Sequence, residues 1–240
     1  MAVQSEFLQL RKLKVFEVVD ELSKGRKAID SRIVFREKYD EHGNLIKFKA
    51  CIVAKGFSQV PGKDFTKTFS SVAKFLMLRT FFSYMAYLDW KLHHINVVTA
   101  YLHGPLDKEI YMTIPESVKD FNSGHYWKLE KVLYGLKQAG RQWKKCLHKA
   151  LTFFGFSQAV TDDCLYVKQH EGKITLIVLV YIDDMAIASP NRLQIISLKS
   201  FLKKDFEISN LDELQHMLGV LVTHDHPNRL FYLNQTTYIL

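Results

Sequence analysis

Three cysteines, five prolines and eleven glycines are little for a chain of 240 residues. The cysteine count is odd and no Cys-x-x-Cys pair occurs, which argues against a disulfide framework or a zinc finger and fits a reducing compartment. The scarcity of Pro and Gly excludes a linker-rich or low-complexity chain. Long apolar runs are missing too. The longest, ITLIVLVYI (174–182), falls far short of the ~20 residues a membrane helix needs. Residues 1–14 carry Glu6, Arg11, Lys12 and Lys14, so no secretory segment is read there. A soluble, intracellular protein is expected.

Acidic residues are outnumbered by basic ones, and the net charge is +8. The cations gather in RKLK (11–14), KGRK (24–27), KQAGRQWKKCLHK (137–149) and LKSFLKKD (198–205). Such a balance is the footprint of a polyanion binder, or of a solvated surface that happens to be basic.

Alternation over 31–57 predicts a hairpin with its turn at DEHGN (40–44). Ile33, Phe35, Phe48, Ala50, Ile52 and Ala54 form its apolar face, with Lys47, Lys49 and Lys55 opposite. Residues 70–90 are expected to be helical, capped by Ser70 or Ser71, with Val72, Phe75, Leu76, Arg79, Phe82, Met85 and Ala86 along the packed face. A strand and a short turn or helix are expected over 91–104, a strand at 109–114, and a strand with a turn at Gly135 over 126–138. The clearest helix is 139–156: Trp143, Leu147, Ala150, Leu151 and Phe154 make an apolar stripe, Lys137, Arg141, Lys144, Lys145 and His148 line another side, and Gly155 ends it. Residues 173–189 read as two strands covered on both faces, 192–208 as an amphipathic helix, and 212–240 as a helical turn with two short strands. The alternating histidines of HDH (224–226) invite a metal but bring no further ligand, so a surface loop is expected.

The joint between the two covered strands is unusual. Asp183 and Asp184 of LVYIDDMAIAS (179–189) are adjacent carboxylates in a very apolar run, and such a pair needs compensation. They could be turn residues, partners of a Lys or Arg, or ligands of divalent cations. Polymerase chemistry would require a third carboxylate from another strand, because two Mg²⁺ ions held by such ligands stabilise both the attacking and the leaving oxygen of phosphoryl transfer.

YIDD resembles the Y-x-D-D box of reverse transcriptases. FKACIVAKGFSQVPGKDFTKTFSSVAK (48–74), HHINVVTAYLHGPLDKEIYMTIPE (93–116), KLEKVLYGLKQAGRQW (128–143), GFSQAVTDDCLYV (155–167) and ELQHMLGV (213–220) narrow the resemblance to the Ty1/copia-type retrotransposon enzyme. The blocks fall in family order and span about residues 6–240. The resemblance implies an α+β right-hand polymerase fold, with fingers at about 1–72 and 104–142 and palm at about 73–103 and 143–222. A connecting region would start at 223–240, with the thumb partial or absent and no RNase H, integrase or protease segment. It implies RNA-templated DNA synthesis from dNTPs, with an RNA template, a DNA primer and other polyprotein modules as partners, two Mg²⁺ (or Mn²⁺) ions, and a cytoplasmic, virus-like-particle setting.

By the same resemblance Asp183 is a metal-binding aspartate and Asp184 its less directly coordinating neighbour. Tyr101 sits under the incoming sugar. Gly135, Leu136, Lys137 and Gln138 help place template and nucleotide. Lys49 and Lys55 face the triphosphate and template, and Lys137, Arg141, Lys144 and Lys145 face nucleic acid. Three positions depart from the family pattern. Asn96 of NVVTAY stands where the other metal-binding aspartate is usual, Cys51 of KACIVAKG where an arginine is usual, and Leu221 where an acidic residue is usual. Ser71 and Gly140, where proline is frequent, are milder departures. An amide is a neutral, weaker ligand for Mg²⁺, and a thiol supplies neither the charge nor the bidentate geometry of a guanidinium. The expectation is therefore a reverse transcriptase domain with impaired chemistry. The alternatives are a non-enzymatic nucleic-acid-binding remnant and a relic without selected function.

Overall fold

The chain begins with a helix that the sequence reading did not anticipate, α1 (Ala2–Lys12), which buries Phe7 and Leu10. In this computed structural model residues 2–39, 44–121 and 124–235 are described, and the chain divides into two units, Met1–Ser70 with Tyr101–Cys146 and Ser71–Ala100 with Leu147–Leu240. Helices and antiparallel sheets occur in both, and no helix among the described residues is long and apolar enough to cross a membrane.

In the first unit, strand β1 (Phe16–Val19) is followed by the hairpin strands β2 (Ser31–Tyr39) and β3 (Leu45–Ala54). These pair antiparallel, with Ile33 opposite Ile52 and Phe35 opposite Ala50. Most of the expected turn, 40–43, lies outside the described residues. The predicted apolar face holds only for the inner half. Ala50, Ile52 and Ala54 are buried, whereas Phe35 and Phe48 are 66% and 62% exposed. The outer half of the ribbon has no core beneath it, so alternation alone does not bury it. After strand β4 (Lys91–Val97), which belongs to the second unit, β5 (Pro105–Thr113) and β6 (Tyr126–Lys131) join β1 in the order β1-β6-β5. Trp127 of β6 is fully buried, stacked 3.8 Å from Phe16 and 6.0 Å from Phe7.

Main chains meet closely beside this core. The Ala54 N–H donates to Tyr134 O at 2.8 Å. Gly135 has φ +91°, and a Cβ there would lie 2.1 Å from Ala54 O; a Cβ on Gly56 would lie 2.0 Å from Gly135 O. Only glycine fits either position.

The second unit is built on helix α2 (Phe75–Leu88) and a six-stranded antiparallel sheet. The helix starts later than its sequence suggested. Lys74 is the N-cap, without a side-chain bond, and Ser71 Oγ instead donates to Asp163 Oδ2. With that start, Leu78, Phe81, Phe82, Met85 and Ala86 are buried, while Val72, Phe75 and Leu76 are exposed. The sheet comprises β4 (Lys91–Val97), β7 (Ser157–Gln158), β8 (Leu165–His170), β9 (Lys173–Tyr181), β10 (Asp184–Ser189) and β11 (Ile208–Glu213), in the order β11-β4-β10-β9-β8-β7. Leu176, Ile177, Val178, Leu179, Met185, Ala186, Ile187 and Ala188 are all buried, as the uninterrupted apolar runs require.

Helix α3 (Ala139–Phe153) buries Trp143, Leu147 and Leu151 and gives way to Gly155 at φ +100°. Helix α4 (Arg192–Leu202) is capped by Asn191, whose side chain accepts the Leu193 N–H at 2.9 Å. Among the described residues the helical turn expected over 212–240 is absent, while the two short strands expected with it are present. Strands β12 (His216–Met217), β13 (Val220–Asp225) and β14 (Leu230–Asn234) form a small antiparallel sheet instead. A two-residue turn at Leu218 and Gly219, both at positive φ, reverses the chain where a helix would have continued.

Candidate active site

Strand β10 lies between β4 and β9, so its first residue has a partner on each side. Asp184 faces Asn96 on β4 and Tyr181 on β9. Ile182 and Asp183 alone make the turn. Ile182 has φ +57°, a conformation that β-branched residues avoid and that costs roughly 1–3 kcal/mol. The paired strands on both sides hold the strained turn, and the Val97 N–H donates to Asp183 O at 2.8 Å. The hairpin tip is thereby fixed against the end of β4, which carries Asn96.

Asp184 Oδ1 is the hub of the site. Asn96 Nδ2 donates to it at 3.0 Å, and His94 Nε2 lies 2.9 Å from the same oxygen. A carboxylate only accepts, so the amide must turn its NH₂ to Asp184 and its carbonyl oxygen away. Burial, the largest influence, pushes the Asp184 carboxyl upward, but the hydrogen bonds from His94 and Asn96 and the His94 charge outweigh it. The carboxyl is held below its ordinary value. His94 is a neighbour of the candidate site that its sequence context did not reveal. The available signal was period two, because a strand that aims Asn96 at the aspartate hairpin aims residue 94 the same way.

The donor set suits a hard divalent cation, though weakly. Asp183 and Asp184 supply carboxylate oxygens and Asn96 one neutral oxygen. Among the described residues no third His, Cys, Asp or Glu ligand atom gathers with the two aspartates into a cluster within 4.8 Å. The amide and imidazole already satisfy one Asp184 oxygen.

The remaining candidate residues lie in the first unit. Lys49, Cys51 and Lys55 share one face of the β3 ribbon and its continuation, opposite the buried Ala50, Ile52 and Ala54. Lys55 Nζ is 3.7 Å from Asp30 Oδ2. Burial pushes the Cys51 thiol above its usual value, only partly offset by Lys49, so at neutral pH no charge stands at position 51. Tyr101 is half-buried, with its ring 5.3 Å from that of Tyr134. Gln138 is 1% exposed: Gln59 donates to its Oε1 at 3.0 Å, and its own Nε2 donates to Asp64 O at 2.9 Å. That network places Lys137, whose N–H donates to Gln59 Oε1 at 2.8 Å and whose ammonium stands 5.0 Å from the Phe65 ring centre. Arg141 Nη1 donates to Phe69 O at 3.2 Å, and Lys144 and Lys145 follow one turn later on α3.

Residues 13–239 match the family described as Reverse transcriptase (RNA-dependent DNA polymerase). Among curated proteins, the chain is similar to the Retrovirus-related Pol polyprotein from transposon TNT 1-94 of Nicotiana tabacum, at 37% identity over 99% of this chain and 18% of that polyprotein. It is similar to the corresponding polyprotein from transposon RE1 of Arabidopsis thaliana, at 35% identity over 88% of this chain and 14% of the relative. A yeast protein, the Transposon Ty1-BR Gag-Pol polyprotein of Saccharomyces cerevisiae, is 25% identical over 93% of this chain and 13% of its own length. The chain thus spans less than a fifth of each of these relatives.

Proposed function

The chain belongs to the reverse transcriptase (RNA-dependent DNA polymerase) family of Ty1/copia-type elements, and we propose that its carboxylate hairpin is that family's polymerase site with one ligand exchanged and its chemistry impaired. The reaction would be RNA-templated addition of dNTPs to a DNA primer. The two units would be fingers and palm of a right-hand polymerase, a division supported by unit boundaries close to the expected ones. Asp183 and Asp184 would hold Mg²⁺ or Mn²⁺, which when bound lowers the cost of the charge that develops on the attacking and leaving oxygens.

One observation carries the impairment: Asn96 donates from Nδ2 to Asp184 Oδ1 at 3.0 Å. Aspartate at 96 would set two carboxylates about 3 Å apart, an arrangement that needs a cation or a proton. Asparagine makes the same pair comfortable with neither. The hairpin is therefore stable without metal, and the site binds cations less strongly. A loss of about 3–5 kcal/mol of transition-state stabilisation corresponds to roughly 10²–10⁴ in rate. Cys51 adds a second deficit, since an uncharged thiol stands where a guanidinium would grip phosphate.

Primer extension on an RNA template with dNTPs and Mg²⁺ tests the reading. Three proteins are compared: the natural chain, Asn96→Asp, and Asn96→Asp with Cys51→Arg. The natural chain should extend poorly or not at all, and the substituted forms should gain activity stepwise. Brisk extension by the natural chain would overturn the impairment. Silence from all three without primer–template binding would overturn the assignment of a polymerase site to this chain alone.

A further inference from the structure

The HDH segment meets its missing ligand in the fold. Asp89 closes α2 in the left-handed conformation, φ 52° and ψ 42°, with its N–H bonded back to Ala86 O and Met85 O. The carboxylate faces the β13–β14 hairpin. Asp89 Oδ1 lies 2.6 Å from His226 Nδ1 and 3.6 Å from His224 Nε2. The two imidazole centres are 3.6 Å apart, and the three ligand atoms lie within 4.8 Å of one another.

His224 supplies a second, independent observation. Its side chain is only 7% exposed, packed on Phe231 with ring centres 3.9 Å apart. Its Nε2 is nonetheless buried without a hydrogen-bond partner and is aimed at Asp89. An orphaned buried imidazole nitrogen is unfavourable unless something takes its lone pair. Around a tetrahedral ion with bonds of about 2.0–2.1 Å, donor atoms stand about 3.4 Å apart. The Asp89–His224 separation already fits, and the Asp89–His226 pair needs to open by less than about 1 Å. On the far side of His226, Glu213 Oε1 lies 4.0 Å from Nε2, placed to take that proton when Nδ1 is a ligand.

We propose that Asp89, His224 and His226 form a binding site for one transition-metal dication of the Zn²⁺ class, separate from the carboxylate hairpin. Two imidazoles and one carboxylate select Zn²⁺ or Co²⁺ over the hard Mg²⁺. The ion joins the C-terminus of α2 to the β13–β14 turn, residues 137 apart in sequence, and steadies the small C-terminal sheet.

The untagged full chain is titrated with Zn²⁺ and Co²⁺ in competition with a chromophoric chelator, and thermal unfolding is followed in parallel. One equivalent should bind, survive a large excess of Mg²⁺, and raise the unfolding temperature. His226→Ala should weaken binding by more than ~100-fold and Glu213→Gln by about tenfold, the scale of losing a partner behind a ligand. Asp89→Asn keeps the left-handed turn and should also weaken binding, so the test stands even where His224→Ala fails to fold. Asp183→Asn should leave it unchanged. No stoichiometric binding, binding indifferent to Asp89→Asn and His226→Ala, or binding lost in Asp183→Asn would each overturn the proposal.

Discussion

Asn96 Nδ2 and His94 Nε2 both approach Asp184 Oδ1, at 3.0 and 2.9 Å, from residues two apart on the neighbouring strand. That arrangement needs no cation. Replacing Asn96 by aspartate turns a donor–acceptor contact into two facing carboxylates, with a cost of about 1–3 kcal/mol for an unsatisfied, partly buried pair. Asn96→Asp should therefore unfold at lower temperature in EDTA and recover in millimolar Mg²⁺ or Mn²⁺, whereas the natural chain should respond little. Equal melting curves for the two proteins in EDTA would remove the basis for this reading.

The same oxygen contributes to the acid sensitivity of the second unit. The folded Asp184 carboxyl lies below its ordinary value because the bonds from His94 and Asn96 outweigh its burial. Its contribution to stability is thus fully present above the unfolded carboxyl value of about 3.9, and is lost as pH falls through the lower folded value. Asp184→Asn should flatten the acid limb of stability against pH below about 4, by up to one proton's worth of slope. Denaturant melts from pH 2.5 to 7 measure it, and an unchanged slope counts against the hydrogen-bonded cluster.

How much of this was legible depended on the kind of signal. The covered strands β9 and β10 were plain because uninterrupted apolar runs broken by two aspartates permit few other folds. Gly135 was readable as a turn. The start of α2 was not, because Ser71 is drawn to Asp163 by a contact that spans 92 positions. Period two, applied to Phe35 and Phe48, overstated the core since alternation says which face a residue takes and not whether anything covers it. The two short strands expected near the end are present as β13 and β14, but the two-residue strand β12, where a helical turn was expected, is too short for either period to stand out. The Asp89–His226 contact depends on tertiary closure and leaves no local trace.

Gly135 gives a sharp test of the first unit. Alanine there would need φ near +91° and a Cβ 2.1 Å from Ala54 O, where backbone faces backbone and no flexible side chain can yield. Gly135→Ala should cost more than about 3 kcal/mol, by analogy with strained backbone and overpacked cores. Circular dichroism melts, or loss to the insoluble fraction, would register it. A soluble protein with an unaltered melting temperature would contradict the close approach.

The ribbon β2–β3 should divide into two energetic halves. Ile52 is fully buried and Phe48 is 62% exposed, although both belong to the same alternating face. Ile52→Ala should cost about 2–5 kcal/mol, whereas Phe48→Ala should stay within about 0.5 kcal/mol. Chemical denaturation of the two variants checks the contrast. A large loss at Phe48 would mean that the outer ribbon is covered in solution.

The basic start of α3 should announce nucleic acid through salt. Lys137, Arg141, Lys144 and Lys145 were read as facing nucleic acid, and cationic contacts to its backbone release counterions without reading sequence. Each of Lys137→Ala, Lys144→Ala and Lys145→Ala should lower the slope of log affinity against log salt by about one, uniformly over different duplex sequences. Arg141→Ala should do this and also lower stability, because Arg141 Nη1 donates to Phe69 O at 3.2 Å and so holds the preceding loop. Fluorescence anisotropy of a labelled RNA–DNA hybrid, from 50 to 250 mM KCl, separates the effects. If the slope is unmoved by all four changes, these cations solvate the helix and the nucleic-acid surface must be sought elsewhere on the chain.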